Sequence, residues 1–153
     1  MSKEILHEWQ PESFLDFSLE EKRLYTIGLV DVNIGANELN ITLDNGTQDL
    51  EIIYNQIDFS IPVEYYVWSF RYGTEGIRND LAYANCKVAA NINKDYYYAF
   101  KMENSEYIQW HDRISPFTSK DYPKLEHRIY ITSDDVLEVL STFEPTFRIK
   151  TIS

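Results

Sequence analysis

Residues 38–53 read ELNITLDNGTQDLEII, and the fold follows from how this stretch is folded on itself. Asn45-Gly46 lies near its centre, the dipeptide best suited to a two-residue type I′ turn. Closed about that turn, Ile41 faces Leu50, Leu39 faces Ile52, Asn40 faces Glu51 and Thr42 faces Asp49. Apolar then meets apolar and polar meets polar, as an antiparallel hairpin with one wet face requires. The stretch predicts two paired antiparallel strands.

Upstream, residues 24–34 (LYTIGLVDVNI) are rich in β-branched side chains. Tyr25, Ile27 and Leu29 share one face; then Val30, Val32 and Ile34 occupy the other. A bulge or a bend near Gly28 to Asp31 accounts for that change of parity. Residues 1–21 are less regular, but Trp9, Phe14, Leu15, Phe17 and Leu19 make them too apolar for a free tail, and they are expected to pack across the domain.

Downstream, Ile57, Phe59 and Ile61 alternate with polar residues and predict a short strand. Residues 63–72 (VEYYVWSFRY) have aromatics on both faces, the composition of a central strand, broken by Gly73-Thr74-Glu75-Gly76. Residues 77–85 fit a short helix through Ile77, Leu81 and Ala84, and 86–92 a strand. Tyr96, Tyr97, Tyr98, Phe100 and Met102 form a further strand running into a helix. Asn104 or Ser105 supplies the cap, and Tyr107, Ile108, His111 and Ile114 fall at helical spacing. Trp110 or His111 should rest on the sheet, with Glu106 and Asp112 outward. Residues 115–124 are loop, 125–132 a strand with His127, Ile129 and Ile131 on one side, and 146–152 a closing strand. For 136–140 (VLEVL) a helix capped by Ser133 competes with a strand entered through a Ser133-Asp134 turn; the β-branched pair and short span favour the strand. The expected fold is α+β and mainly β. About eight strands form an antiparallel sheet, curled or sandwich-like, with one helix packed on it near residues 105–114.

With 153 residues, 44% hydrophobic and 15% aromatic, the chain suits a single domain spanning 1–153. Cys86 stands alone, which excludes an intramolecular disulfide and fits a reducing compartment. The N-terminal residues are interrupted by charges, unlike a signal peptide, and no window reaches membrane-spanning length. A cytoplasmic protein is expected. Its formal net charge of −11 repels nucleic acid and anionic membrane and attracts basic partners.

Motifs for chemistry are missing. His7, His111 and His127 are scattered without metal-ligand spacing, so no metal and no cofactor is expected. Cys86 could be set against His111 or His127, but a lone strand cysteine behaves as a small hydrophobe. Residues 73–76 lack the lysine of a phosphate loop. Glu20-Glu21 and Asp134-Asp135 are adjacent in sequence, which does not make an acid–base pair. Tyr65, Tyr66 and Tyr96 to Tyr98 could stack bases, yet too few basic residues interleave them. No residue takes a catalytic role. What remains is an acidic surface: Glu38, Asp49 and Glu51 on the outward face of the hairpin, Glu106 and Asp112 on the helix, and Asp134, Asp135 and Glu138 near the C-terminus. Gathered in one patch with exposed tyrosines, they would dock a basic protein.

Residues 101–110 (KMENSEYIQW) and 127–145 (HRIYITSDDVLEVLSTFEP) resemble small bacterial immunity-type proteins of polymorphic toxin systems. The likeness covers about the C-terminal third and rests on aromatic, acidic and apolar placements. It implies a non-enzymatic protein that binds and neutralises a basic cognate toxin, possibly a nuclease. A small ligand-binding β-domain, or an enzyme with a pocket inside a curled sheet, is the alternative. Neither reading fixes the oligomeric state.

Overall fold

The structure is a computed structural model and describes residues 3–9, 27–35, 38–55, 67–74 and 99–151, with the backbone of 85–87. The expected strand at 57–61, the short helix before residue 85, the tyrosines 65, 66 and 96–98 and most of the N-terminal arm lie outside the described residues. Among those described there are ten strands and one helix: β1 Ile5–Glu8, β2 Gly28–Ile34, β3 Glu38–Asp44, β4 Gln48–Asn55, β5 Ser69–Thr74, β6 Asn85–Lys87, β7 Ala99–Glu103, α1 Glu106–Ile114, β8 Glu126–Ile131, β9 Asp135–Ser141 and β10 Thr146–Thr151. They build a six-stranded sheet in the order β5-β9-β8-β7-β1-β6 and a four-stranded sheet in the order β10-β4-β3-β2. Pairing is antiparallel except between β1 and β6.

The hairpin β3–β4 forms with the expected faces but a different register. Leu39 pairs with Tyr54, Ile41 with Ile52, Leu43 with Leu50 and Asp44 with Asp49. The two-residue loop is therefore Gly46-Thr47, one residue later than expected. Asn45 explains the shift. Its Oδ1 accepts from the backbone N–H groups of Thr47 at 3.0 Å and Gln48 at 2.8 Å, so it acts as the residue before the turn. Gly46 then takes the first central position with φ of 97°, the pattern of a type II′ turn. A shift of two in the pairing leaves side-chain parity intact, and Leu39, Ile41, Leu43, Leu50, Ile52 and Tyr54 are all buried. The bulge in β2 falls between Leu29 and Asp31, inside the expected interval.

The inner face of the four-stranded sheet packs on one face of the six-stranded sheet. Leu39, Ile41, Leu43, Leu50, Ile52 and Tyr54 meet Ala99, Tyr130, Leu137 and Val139 in one core. The Tyr54 and Tyr130 hydroxyls join across it at 2.5 Å, and burial pushes the Tyr54 phenol well above its ordinary pKa. Strand alternation turns His127, Glu138 and Leu140 to the opposite face, where α1 lies: Tyr107, Leu125 and Leu140 cluster there with Trp68 and Ile108 beside them. The architecture is thus a sandwich with one helix on its outer side, mainly β as expected.

Ser105 caps α1, its Oγ accepting from Ile108 N–H at 3.0 Å, and Asn104 precedes it at φ 58°. His111 rests on the sheet and Glu106 points outward; Trp110 and Ile114 are exposed. Residues 136–140 are strand, entered through Ser133-Asp134, and from Val136 onward β9 is buried on both faces. Two expectations are corrected. Ile5–Glu8 is a strand inside the six-stranded sheet, between β7 and β6, so the N-terminal segment is more regular than its single apolar alternation suggests. β5 starts at Ser69, runs through Gly73-Thr74 and, among the described residues, stands at the end of the sheet order rather than inside it. Its aromatics are tolerated there because Phe70 packs into the core while Tyr72 is 51% exposed.

Candidate functional site

The outer face of the four-stranded sheet is polar and mostly acidic. Asp31 on β2 pairs with Thr42 on β3, Thr42 with Glu51 on β4, and Glu51 with Arg148 on β10. In the next row Gly28, Asp44, Asp49 and Lys150 follow one another across the same strands. Asp44 therefore stands directly opposite Asp49, a like-charge pair that weakens the sheet. Asp49 Oδ1 is screened from solvent and has no hydrogen-bond partner among the described residues. Glu38 sits exposed at the start of β3.

Glu51 lies on the expected outward face of the hairpin but differs from its neighbours in being covered. It is only 9% exposed. It pairs with Arg148, lies 3.5 Å from Lys150 and accepts from Asn40 Nδ2 at 3.3 Å. The Arg148 hydrogen bond holds its carboxyl below the usual carboxylate range against the opposing effect of burial, with Asn40 and the charges of Arg148 and Lys150 adding to it. The positive edge strand β10 thus neutralises one end of the face, and Asp31, Asp44 and Asp49 carry the negative charge of the rest.

The other expected site residues lie elsewhere, so the described carboxylates do not gather in one patch. Glu106 and Asp112 are on α1, on the far side of the six-stranded sheet from that face. Asp112 is held by the backbone N–H of Ser119 at 2.8 Å and its hydroxyl at 2.6 Å. Asp134 is exposed in the β8–β9 turn. Asp135 accepts from the Tyr72 hydroxyl at 2.5 Å and lies near Thr132 Oγ1. The Tyr72 phenol is raised by that hydrogen bond first, then by burial and the charges of Asp135 and Asp134. This corner does combine an exposed tyrosine with acids, on a smaller scale than expected.

Glu138 is corrected outright. It is fully buried, not outward. Arg71 Nε and Nη2 donate to its two carboxylate oxygens at 2.8 Å each, and His127 Nε2 lies 2.7 Å from Oε2. His127 Nδ1 in turn lies 2.7 Å from Ser105 Oγ. With Nε2 protonated toward Glu138, Nδ1 accepts from the Ser105 hydroxyl, so both ring nitrogens of His127 are matched. Arg71 also stacks over Tyr107 at 4.1 Å, and the Tyr107 hydroxyl meets Ser69 Oγ at 2.5 Å. Serine, histidine and carboxylate in line resemble a hydrolytic triad. The serine, however, already caps α1 and is 5% exposed, and the buried Glu4 carboxylate takes the Glu106 N–H at 3.1 Å. The helix start that would stabilise an oxyanion is thereby filled. The network ties β5, β9, β8 and α1 together. One signal in the sequence could have found it: Glu138 alternates with Val136 and Leu140, so in a strand it shares their buried face.

A cavity of about 360 Å³ opens at the C-terminal end of α1, lined by Trp68, His111, Ser115, Pro116 and Phe117. Among the described residues no cluster of three His, Cys, Asp or Glu is placed to hold a metal, and no helix is long and apolar enough to cross a membrane. The chain matches no family model, no curated protein and no solved structure.

Proposed function

We propose that this chain is a non-enzymatic, immunity-type protein that binds and neutralises a basic toxin, using the outer face of β2–β4. The observation that carries the reading is the Asp44–Asp49 pair with Asp31 in the adjoining row. Carboxylates set directly opposite one another cost the free protein stability, and a cationic partner relieves that repulsion on binding. The resemblance of residues 101–110 and 127–145 to immunity-type proteins and the net charge of −11 support the same reading. So does the buried network, whose serine and histidine are engaged in holding α1 to the sheet.

The test is co-purification from the native host, with wild type and an Asp31→Lys/Asp44→Lys variant run side by side and the bound protein identified by mass spectrometry. A stoichiometric, cationic, toxin-like partner held by wild type and depleted with the variant is the expected result. Recovery of wild type alone, together with turnover of a small substrate that is lost on substituting His111, His127 or Cys86, overturns it.

A further inference from the structure

α1 leaves apolar surface uncovered. Trp110 is 44% exposed and Ile114, one turn on, is 62% exposed; Phe117, just past the end of the helix, is 45% exposed. Tyr107 and His111 take the buried side of the helix. Glu106, Trp110, Arg113 and Ile114 are spaced i, i+4, i+7 and i+8, so they follow one another down a single flank. The charges of that flank are divided by end. Glu106 is exposed at the N-terminal end, with Glu103 exposed just before it. Arg113 is exposed at the C-terminal end. Lys120 is exposed beyond it, kept near the helix because Asp112 accepts from the backbone N–H and the hydroxyl of Ser119. In the sheets, Arg71 is tied to Glu138, Lys101 and Arg128 to Glu126, and Arg148 and Lys150 to Glu51. Arg113 and Lys120 have no ion pair among the described residues.

We infer that this flank pairs with the same flank of a second copy of the chain, the two α1 helices lying antiparallel about a two-fold axis at Trp110. Residue 110 is midway between 106 and 114. The axis therefore sets Trp110 against its own symmetry mate and Glu106 beside Arg113 and Ile114 of the second copy, and does so twice. Apolar side chains meet at the centre and opposite charges at both ends. The division of charge selects this occupant. A uniformly acidic partner, or an anionic membrane, would meet Arg113 and Lys120 but be repelled at Glu103 and Glu106; a basic partner would meet the reverse. A second copy turned about the axis presents the opposite order of charges, and its helix dipole runs the opposite way as well. Three exposed apolar side chains make a small interface beside the roughly 20–30 residues a side of a standard one, so the expected dimer is weak. The pairing lies across the six-stranded sheet from the outer face of β2–β4 and stands whether or not that face binds a toxin.

Sedimentation velocity of the full chain from about 1 µM to about 1 mM should show monomer passing into dimer. Glu106→Arg and Arg113→Glu each set like charges opposite one another at both ends, and each should weaken dimerisation about tenfold or more. Mixed in equal amounts, the two variants should dimerise with each other at about wild-type strength, because the arginines of one then face the glutamates of the other. Trp110→Ser should leave monomer at all concentrations. Thermal unfolding checks that each variant is folded; should a charge variant fail, wild type and Trp110→Ser still decide. Three results overturn the inference: a wild type that stays monomeric, even one that binds vesicles of anionic phospholipid; a dimer that survives Trp110→Ser; or a mixture of the charge variants as monomeric as its components.

Discussion

Glu138 is a charged side chain placed where charge is hardest to hold, fully buried in the most enclosed strand of the larger sheet. Its two oxygens are matched there by the Arg71 guanidinium, which meets both, and by His127, which meets one. Removing one partner of a buried pair leaves the others desolvated and unmatched. Glu138→Ala should therefore lower unfolding stability by roughly 3–5 kcal/mol in urea titration. Glu138→Gln, which keeps the shape and can still accept from Arg71, should lose less. An alanine variant within about 0.5 kcal/mol of wild type would show that the network contributes nothing to folding. The residue also marks a limit of sequence reading. A glutamate in a strand is wet or buried according to parity, and parity with Val136 and Leu140 places Glu138 inside only once residues 136–140 are read as a strand.

The β3–β4 hairpin shows what alternation specifies and what it leaves open. Side-chain parity has a period of two, so any even shift of register keeps the same residues inside. The alternation of Leu39, Ile41 and Leu43 therefore identified the buried face, yet could not choose between pairing Ile41 with Leu50 and pairing it with Ile52. The choice falls to Asn45, whose carbonyl oxygen engages two N–H groups ahead of the turn and hands the positive-φ position to Gly46. A Cβ at Gly46 would meet nothing within 4 Å, so any penalty there comes from the backbone alone. Gly46→Val should cost on the order of 1 kcal/mol or more, and Gly46→Asn should also destabilise, because the first central position of a type II′ turn lies outside the left-handed helical region that asparagine tolerates. Wild-type stability of either variant in thermal or urea unfolding would contradict the turn assignment. The helix was legible for a similar local reason, since Ser105 and the Tyr107–His111 spacing fall within one short segment. β1 was not legible, because its place between β7 and β6 is set by partners distant in sequence.

At the scale of the molecule, stacking two sheets and a helix separates residues that the sequence suggested grouping. The outer face of β2–β4 and the outer side of α1 are on opposite sides of the six-stranded sheet, so the carboxylates of α1 do not join those of the hairpin. Neighbouring strands, in contrast, bring Asp31, Asp44 and Asp49 together from segments whose charges look unremarkable one by one. Facing carboxylates of this kind cost the fold a little stability but accelerate encounter with an opposite charge, and salt screens that attraction over about 8 Å at 0.15 M ionic strength. The most direct measurement is the association rate constant for the captured partner as a function of ionic strength, for wild type and for Asp31→Lys/Asp44→Lys. The account predicts a wild-type rate that falls steeply with added salt and a variant rate about tenfold lower at low salt with a nearly flat dependence, the unfolding midpoint being unchanged or raised because Asp44→Lys removes the like-charge pair with Asp49. Indistinguishable rates and salt dependences for the two proteins would contradict the assignment of this face as the binding surface.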